Sequence, residues 1–367
     1  MKSYLWAITA LGTVLGTMGM AANVQALEYK PFVEISSFSH SEAIAVHAIL
    51  NDWNAPFSKG EIAFSINRAE IGIAVNNWQF SVFERQDYLF EFSPSTAKLL
   101  HATNTKQDLV VGEQYALQLQ TNAFVAQGVK LGYQTQINHF KTPFNVGVAL
   151  SYLEGLELTD GKLTGQATAV ANNDYNFNFD VDYVYSQDSL FDRTLTNNVK
   201  GNGYALDLNL DGYLTPQWHA NVQVRDVLAH INWWDAPRTV ATGSSQTKEF
   251  DADGFVKFKP VASGTQSYKD VTQVIPTKVF LHNTYVLNGQ HSLLFNYDDY
   301  AIKAFYTAGY QFINPQQHKM AVLYNATAQA WQLGYQTTWL KVELVSDALN
   351  LEEAKTLGLN VALKATF

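Results

Sequence analysis

Hydrophobic and polar residues alternate along much of this chain, in segments of about ten residues separated by turn residues. The last segment is the clearest case, since every second residue is apolar: Leu357, Leu359, Val361, Leu363, Ala365 and Phe367. A period of two gives a β-strand one apolar and one polar face. Many such segments in a row are typical of barrels whose strands meet lipid outside and water inside. The pattern predicts an all-β fold made of a single transmembrane antiparallel β-barrel.

A soluble β-sandwich would show the same alternation, so the start of the chain matters. Residues 1–26 combine a basic start, an apolar stretch and a small-residue cleavage site, at Lys2, 5–20 and Val24-Gln25-Ala26. These features are those of a secretory signal peptide. A helical membrane anchor is the alternative, but glycines interrupt an apolar run that is short for a span of about 20 residues. We therefore expect 27–367 to be the exported barrel domain.

Eighteen candidate strands can be drawn, within a range of about 14 to 18. They are 27–39, 43–53, 60–75, 78–92, 113–126, 128–140, 144–153, 162–170, 176–185, 203–214, 218–229, 278–287, 291–298, 302–312, 319–325, 328–336, 339–345 and 357–367. Successive strands run in opposite directions, so every second connection lies at the same end of the barrel. Counting back from the last strand places the short turns at 215–217, 288–290 and 314–317 at the end where the chain stops, as is usual for periplasmic turns. The 20-residue segment 93–112 falls on the same side. A small helix at 95–101, or an error in the strand division, would explain it.

The long insertion at 230–277 is the strongest functional lead, because connections of this length are usually functional or disordered. We expect it outside the cell, as a hairpin that either folds inward as a gate or recognises a partner. Its candidate residues are Trp233, Trp234, Asp251 and Asp253. The two acids resemble the start of a calcium loop, but no Glu follows at the required spacing. Aromatic residues near strand ends are expected to form girdles at the lipid headgroups: Trp233, Trp234, Tyr297, Tyr300, Tyr306, Tyr310 and Trp339.

Charged residues on the polar faces of three consecutive strands are candidates for lining the lumen. They are Asp180, Asp182, Asp207, Asp211, His219 and Arg225. Two interpretations are open. The carboxylates could favour cations at a narrow point, or acids and bases could pair between strands and fill the barrel.

Composition narrows the remaining chemistry. The chain carries a net charge of −9 without a basic stripe, which argues against a nucleic-acid partner. It has no Cys, so disulfides and Cys-ligated metals are excluded. No nucleophile elbow, zinc spacing or nucleotide-binding loop occurs. We expect no enzyme activity, no cofactor and no metal.

Two resemblances to known families point the same way. The terminal Phe367, with apolar residues at alternate positions before it, resembles the C-terminal signal of outer-membrane barrels. The block 201–208, Gly-Asn-Gly-Tyr-Ala-Leu-Asp-Leu, with Arg225-Asp226 after the next strand, resembles the long-chain fatty-acid transporter superfamily. That resemblance implies a barrel of about fourteen strands that passes hydrophobic or small molecules. The family carries an N-terminal plug, whereas strand-like sequence begins here at Leu27.

Together these observations predict a barrel of the bacterial outer membrane that acts as a passive channel or facilitator for a small solute. Its expected partners are outer-membrane lipid, lipopolysaccharide and the barrel-assembly machinery. The alternative is a non-conducting surface or scaffold barrel that binds a partner through 230–277.

Overall fold

The computed structural model describes residues 28–51, 53–138, 142–188, 190–195, 198–246, 248–250, 256–258 and 261–365. The predicted signal peptide, Asp251, Asp253 and Phe367 lie outside these residues. Within them, seventeen strand segments form one antiparallel sheet that closes on itself, and two more form a separate short hairpin. The prediction of an all-β, closed antiparallel barrel is confirmed.

The strands have the following bounds in chain order. They are β1 (Tyr29–Ser41), β2 (Ile62–Val75), β3 (Trp78–Phe92), β4 (Gln114–Ile137), β5 (Phe144–Ala171), β6 (Asp174–Tyr185), β7 (Lys200–Thr215), β8 (Trp218–Arg225), β9 (His230–Ser244), β10 (Lys248–Phe250), β11 (Val256–Phe258), β12 (Ala262–Val274), β13 (Lys278–Val286), β14 (His291–Asp299), β15 (Ala304–Ile313), β16 (Lys319–Asn325), β17 (Ala330–Gln336), β18 (Leu340–Ser346) and β19 (Thr356–Lys364). Two helices lie between strands, α1 (Val46–Leu50) and α2 (Pro94–Asn104).

The ring of hydrogen-bonded neighbours follows chain order from β1 to β5, passes through β7, β8 and β13, and continues to β19, which pairs with β1. This shortest closed path contains fourteen segments, and a path of sixteen closes when β6 and β9 are included. Both counts fall within the predicted range. We call the end with Tyr29 and Lys364 the lower end. All connections at that end are short, as the sequence predicts.

One side of the barrel rises well above the other. Its upper part consists of 114–125 of β4, 157–171 of β5, and β6, β9 and β12, which we call the raised wall. The sequence divides β4 into 113–126 and 128–140, and β5 into 144–153 and 162–170, and both divisions are wrong. In β5 the register shifts opposite Val125 and Ala126, and above that shift its partner changes from β7 to β6. The predicted insertion 230–277 is thus largely wall, with β9 and β12 paired to each other.

The strand predicted at 43–53 is also wrong. Residues Val46–Leu50 form α1, and the apolar side chains of Ile44, Ala45 and Ala48 pack together. They are buried within a connection at the upper end rather than facing alternate sides of a sheet. Because one predicted strand is missing, the next connections lie at the opposite end of the barrel from the predicted one. The segment after β3 therefore lies at the upper end, where it forms α2. This helix covers the segment 95–101, where the sequence suggests a small helix. At its start the Ser93 hydroxyl accepts a hydrogen bond from the Thr96 N–H.

The outer face of the ring is apolar and edged by aromatic side chains. Exposed aliphatic and Phe residues form a belt around it: Ile35, Phe80, Val82, Val129, Leu131, Leu150, Leu208, Phe295, Val322, Leu333, Leu344 and Leu359. Exposed Trp and Tyr side chains stand near the strand ends below and above this belt: Trp78, Tyr133, Trp218, Tyr285 and Trp339 below, and Tyr152, Tyr204, Tyr306, Tyr324 and Trp331 above. No helix among the described residues is long and apolar enough to cross a membrane.

Candidate functional site

Two cavities, of about 300 and 390 Å³, lie inside the ring and are lined by described residues. The first lies against the β13–β19 side and is lined by amide side chains, including Asn67, Asn296, Gln311, Asn325, Gln332 and Asn360. Its aromatic lining consists of Phe38, Phe280, Tyr300 and Phe305. The second cavity reaches the lower end, at the turn 76–77 and Lys364. A barrel whose inner face is this polar can hold water or a polar solute.

A buried salt-bridge quartet crosses the lumen. Arg85 on β3 donates to both carboxylate oxygens of Asp226, at 2.8 and 2.9 Å, and to Asp87 at 2.8 Å. The Lys278 Nζ on β13 lies 2.9 Å from Asp87 and 3.1 Å from Asp226. All four side chains are at most 6 % exposed. Because two cations meet two carboxylates, each buried charge is compensated, which burial requires.

Asp226 is held in an unusual backbone conformation. Its φ is +60°, in the left-handed region that Asn and Asp enter more readily than most residues. The Asp226 N–H donates to the Asp207 carboxylate at 3.0 Å, and its carbonyl accepts from Thr277 at 3.0 Å. These bonds fix the bend between β8 and β9 and thereby aim the carboxylate across the lumen.

An apolar cluster lies beside the quartet, next to β5, β7 and β9. We call it the mouth cluster; Trp233 is its largest fully buried side chain, and it also contains Phe83, Phe124, Leu153, Leu158, Ile231 and Ile275. The Trp233 ring lies against Gly155 and Gly201, where an added Cβ would come within 2.4 and 2.6 Å of it. Glycine at both positions therefore makes room for the indole.

A chain of amide hydrogen bonds fastens the mouth cluster across the barrel. The Trp233 Nε1 donates to Gln273 at 3.0 Å, and Gln273 Nε2 donates to Asn122 at 3.0 Å and to the Ala123 carbonyl at 3.2 Å. Asn122 in turn donates to the Val274 carbonyl at 3.0 Å. These bonds join β12 to β4, which are not paired as neighbouring strands. Burial and hydrogen bonds therefore both hold the mouth cluster in place.

The structure corrects the placement of two predicted aromatic residues. Trp233 does not lie in an external loop or girdle, because its β9 position faces the lumen and is fully buried. Its neighbour Trp234 points the opposite way and is 44 % exposed. Tyr300 likewise turns inward and packs on Phe38 with ring centroids 4.7 Å apart. Period-two alternation alone does not reveal which residue of a Trp pair faces inward.

Asp180 and Asp182 lie on β6 of the raised wall, above the ring that encloses the two cavities. Arg238 donates to both oxygens of Asp182, at 2.8 and 2.7 Å, and Thr242 donates to Asp180 at 2.8 Å. The hydrogen bonds from Arg238 hold the pKa of the Asp182 carboxyl below its ordinary value of 3.8. Both acids bond to side chains of β9, which agrees with the interpretation in which acids pair between strands at this level.

We expect D182N to lower the free energy of unfolding by less than about 1 kcal/mol, because more than a third of the Asp182 side chain is exposed. A carboxyl with a lowered pKa in the folded state stabilises above its ordinary pKa and loses that contribution as pH falls through the folded value. The difference between wild type and D182N should be constant from pH 7 to 5 and shrink below pH 4. Urea titrations over this range, at low and at 1 M salt, would measure it. A difference that survives both acid and salt would contradict the assignment.

Of the other four predicted lumen residues, Asp207, Asp211 and Arg225 line the second cavity, and His219 lies beside Asp211. Asp211 accepts from Asn221 at 3.2 Å and lies 3.1 Å from the His219 Nε2. Asp207 accepts the Asp226 N–H at 3.0 Å. Arg225 lines both cavities and donates to Gln223 at 3.2 Å. Asp207 and Asp211 therefore already accept hydrogen bonds from other groups of the barrel.

Sequence reasoning missed the residues that dominate the lumen. Besides Arg85, Asp87 and Lys278, these include a trio on β2 and β4: Arg68, Glu70 and Lys130. Arg68 and Lys130 approach Glu70 at 3.0 and 2.5 Å. Their sequence signal is a charged residue at a position that faces inward by the alternation of its strand. Among the described residues, no three His, Asp or Glu side chains are placed to hold a metal ion.

Comparison with known proteins returned structural matches. No family model and no curated protein sequence matches the chain. A mutant of the TodX monoaromatic hydrocarbon channel, 10 % identical, is matched over 94 % of this chain and 91 % of that one, with a TM-score of 0.41. The Pseudomonas putida toluene transporter TodX and the Ralstonia pickettii toluene transporter TbuX, each 8 % identical, are matched over 94 % of this chain and 90 % of theirs, with TM-scores of 0.33 and 0.28.

Proposed function

We propose that this protein is an outer-membrane barrel that passively admits a small solute through its lumen. The observation that carries the proposal is the contrast between the two faces of the ring. The outer face is an apolar belt between rows of exposed Trp and Tyr, which suits the hydrocarbon layer and its headgroup boundaries. The inner face holds two polar cavities. A closed ring satisfies its backbone groups without water, as a membrane requires.

The two cavities together form the proposed path. They have three lining residues in common, Arg68, Gln223 and Arg225, so a solute leaving the first cavity would pass these side chains to reach the second. The second cavity reaches the lower end of the barrel. Entry from the upper end requires the mouth cluster to move, since Trp233 is fully buried there. The proposed facilitator is therefore closed at its upper end in this structure, with β9 and β12 as the gate.

A non-conducting scaffold barrel is the second candidate, and the salt-bridge quartet is the observation that favours it. Four charged side chains are buried inside the lumen and join β3 to β13 and to the bend after β8. In that case the raised wall, with its exposed β12, would be the surface that binds a partner.

Liposome swelling with the refolded mature chain, residues 27–367, separates the two candidates. We expect swelling above protein-free vesicles with small uncharged solutes such as glycerol and arabinose, and none with a trisaccharide, because cavities of about 300 to 390 Å³ limit solute size. Heat-dependent gel mobility would establish that the protein is folded. Folded protein that gives no swelling with any solute, even when the mouth cluster has been opened by W233A, would contradict transport and leave the scaffold.

A further inference from the structure

Two arginines in the lumen have N–H donors without an acceptor among the described residues. Arg68 and Arg225 are two of the three residues that line both cavities. A guanidinium group has five N–H donors in a fixed plane, which suits a carboxylate or another flat anion. Their position puts these donors on the path that any solute would take.

Arg68 is only partly satisfied by its neighbours. Its Nε donates to Glu70 at 3.0 Å, and its guanidinium lies 4.2 Å from the centroid of the Phe83 ring. Its Nη2 is buried and has no hydrogen-bond partner among the described residues. Glu70 is also shared with Lys130, at 2.5 Å, so one carboxylate faces two cations. This group therefore has an excess of one positive charge.

Arg225 has no carboxylate partner among the described residues. Its Nη2 donates to the neutral Gln223 at 3.2 Å, and its guanidinium lies 5.0 Å from the Phe280 ring centroid. The other cations that line or border the first cavity are paired with acids at 2.8 to 2.9 Å: Arg85, Lys278 and Lys341. Arg225 therefore differs from them in leaving its charge to whatever enters the lumen.

The aromatic lining of the first cavity indicates what the rest of such a ligand resembles. Phe280 lies beneath Arg225, and Tyr300 makes an edge contact with Phe280 at 5.4 Å between ring centroids. Tyr300 also stacks on Phe38. A cavity of about 300 Å³ is at the small end of ligand pockets. It would hold a single ring rather than a long chain.

We infer that the lumen contains a binding site for a small aromatic carboxylate, with the carboxylate between Arg68 and Arg225 and the ring in the first cavity beside Phe280. The inference rests on the proposed function, because it names the class of solute that the barrel would admit. Charge-assisted hydrogen bonds from two guanidinium groups are stronger than neutral ones, so the site discriminates against an uncharged molecule of the same shape.

Calorimetric titration of the refolded mature chain with benzoate and with benzamide tests the site. We expect benzoate to bind at least tenfold more tightly than benzamide. R68Q and R225Q should each weaken benzoate binding at least tenfold and leave benzamide unchanged. K341Q is the matched control, because Lys341 lines the same cavity but is paired with Glu343, and it should change benzoate binding less than twofold. R225K, which keeps the charge, should retain binding within about fivefold and covers the case in which R225Q does not fold.

Equal binding of benzoate and benzamide, no binding of benzoate, or equal losses in R225Q and K341Q would overturn the inference. Vesicle uptake of the same two molecules separates it from the proposed function. Uptake of both at equal rates would support transport and reject the carboxylate site. Tight benzoate binding without uptake of either molecule, in wild type and in W233A, would support the site and reject transport.

Discussion

Replacing Asp226 by Asn is expected to lower the free energy of unfolding by about 3–5 kcal/mol. The change leaves Arg85 and Lys278 buried with Asp87 as the remaining carboxylate of the quartet. Asn tolerates the left-handed backbone that Asp226 adopts, so the loss reports charge rather than backbone strain. Urea unfolding in detergent micelles or vesicles, followed by tryptophan fluorescence, would measure it.

D298N is the matched control for this prediction. Asp298 also faces the lumen and lies 2.7 Å from the His282 Nε2, but it and its partner are partly exposed. We expect a loss below about 1 kcal/mol. The double variant D226N/K278M removes one charge of each sign, so it should recover part of the stability lost in D226N. If D226N and D298N lose the same small amount, the quartet is not a stabilising unit.

The second large effect is expected for W233A. Truncating a fully buried Trp typically costs about 3–5 kcal/mol, and here it also removes the Nε1 donor from Gln273. Because the indole fills the space beside Gly155 and Gly201, its loss opens the upper end of the lumen. Stability should fall, and steady conductance in planar bilayers should rise severalfold above the wild-type level.

W234A provides the control one residue away. The Trp234 side chain is on the opposite face of β9 and is 44 % exposed, so its removal should change stability by less than about 1 kcal/mol and leave conductance at the wild-type level. If W233A and W234A behave alike in both measurements, then Trp233 does not close the mouth.

The sequence predicted the fold well because the ring depends on local alternation. Strands such as β3, β16 and β19 have an apolar outer face and a polar face toward the lumen, and their period of two is visible in the residues themselves. The prediction failed where apolar residues pack inside a connection instead of forming the outer face of the ring. Ile44 and Ala48 are buried in a connection. The prediction also failed at Asp160-Gly161, which has the composition of a hairpin turn but runs straight through β5.

The site was harder to predict because its contacts join distant parts of the chain. Arg85 and Asp226 are 141 residues apart, and Lys278 and Asp87 are 191 residues apart. Alternation along one strand indicates that Arg85 faces inward, but it does not indicate which strand lies across the lumen from it. The alternation of β7 indicates the inward face of Asp207 and Asp211, whereas their bonding partners depend on the register of β7 and β8.

The seam between β1 and β19 sets the order in which the barrel can assemble. Most other neighbours in the ring are joined by turns of a few residues, whereas Phe32 and Lys364 pair across almost the whole chain. Closing a loop of that length costs about 5 kcal/mol of chain entropy, against about 1–2 for a short hairpin. Hairpins therefore form early and the seam forms last, in the rate-limiting encounter. Until then two open strand edges are available to any other extended chain. We therefore expect the yield of folded protein to depend on protection of those edges and not only on the stability of the finished ring.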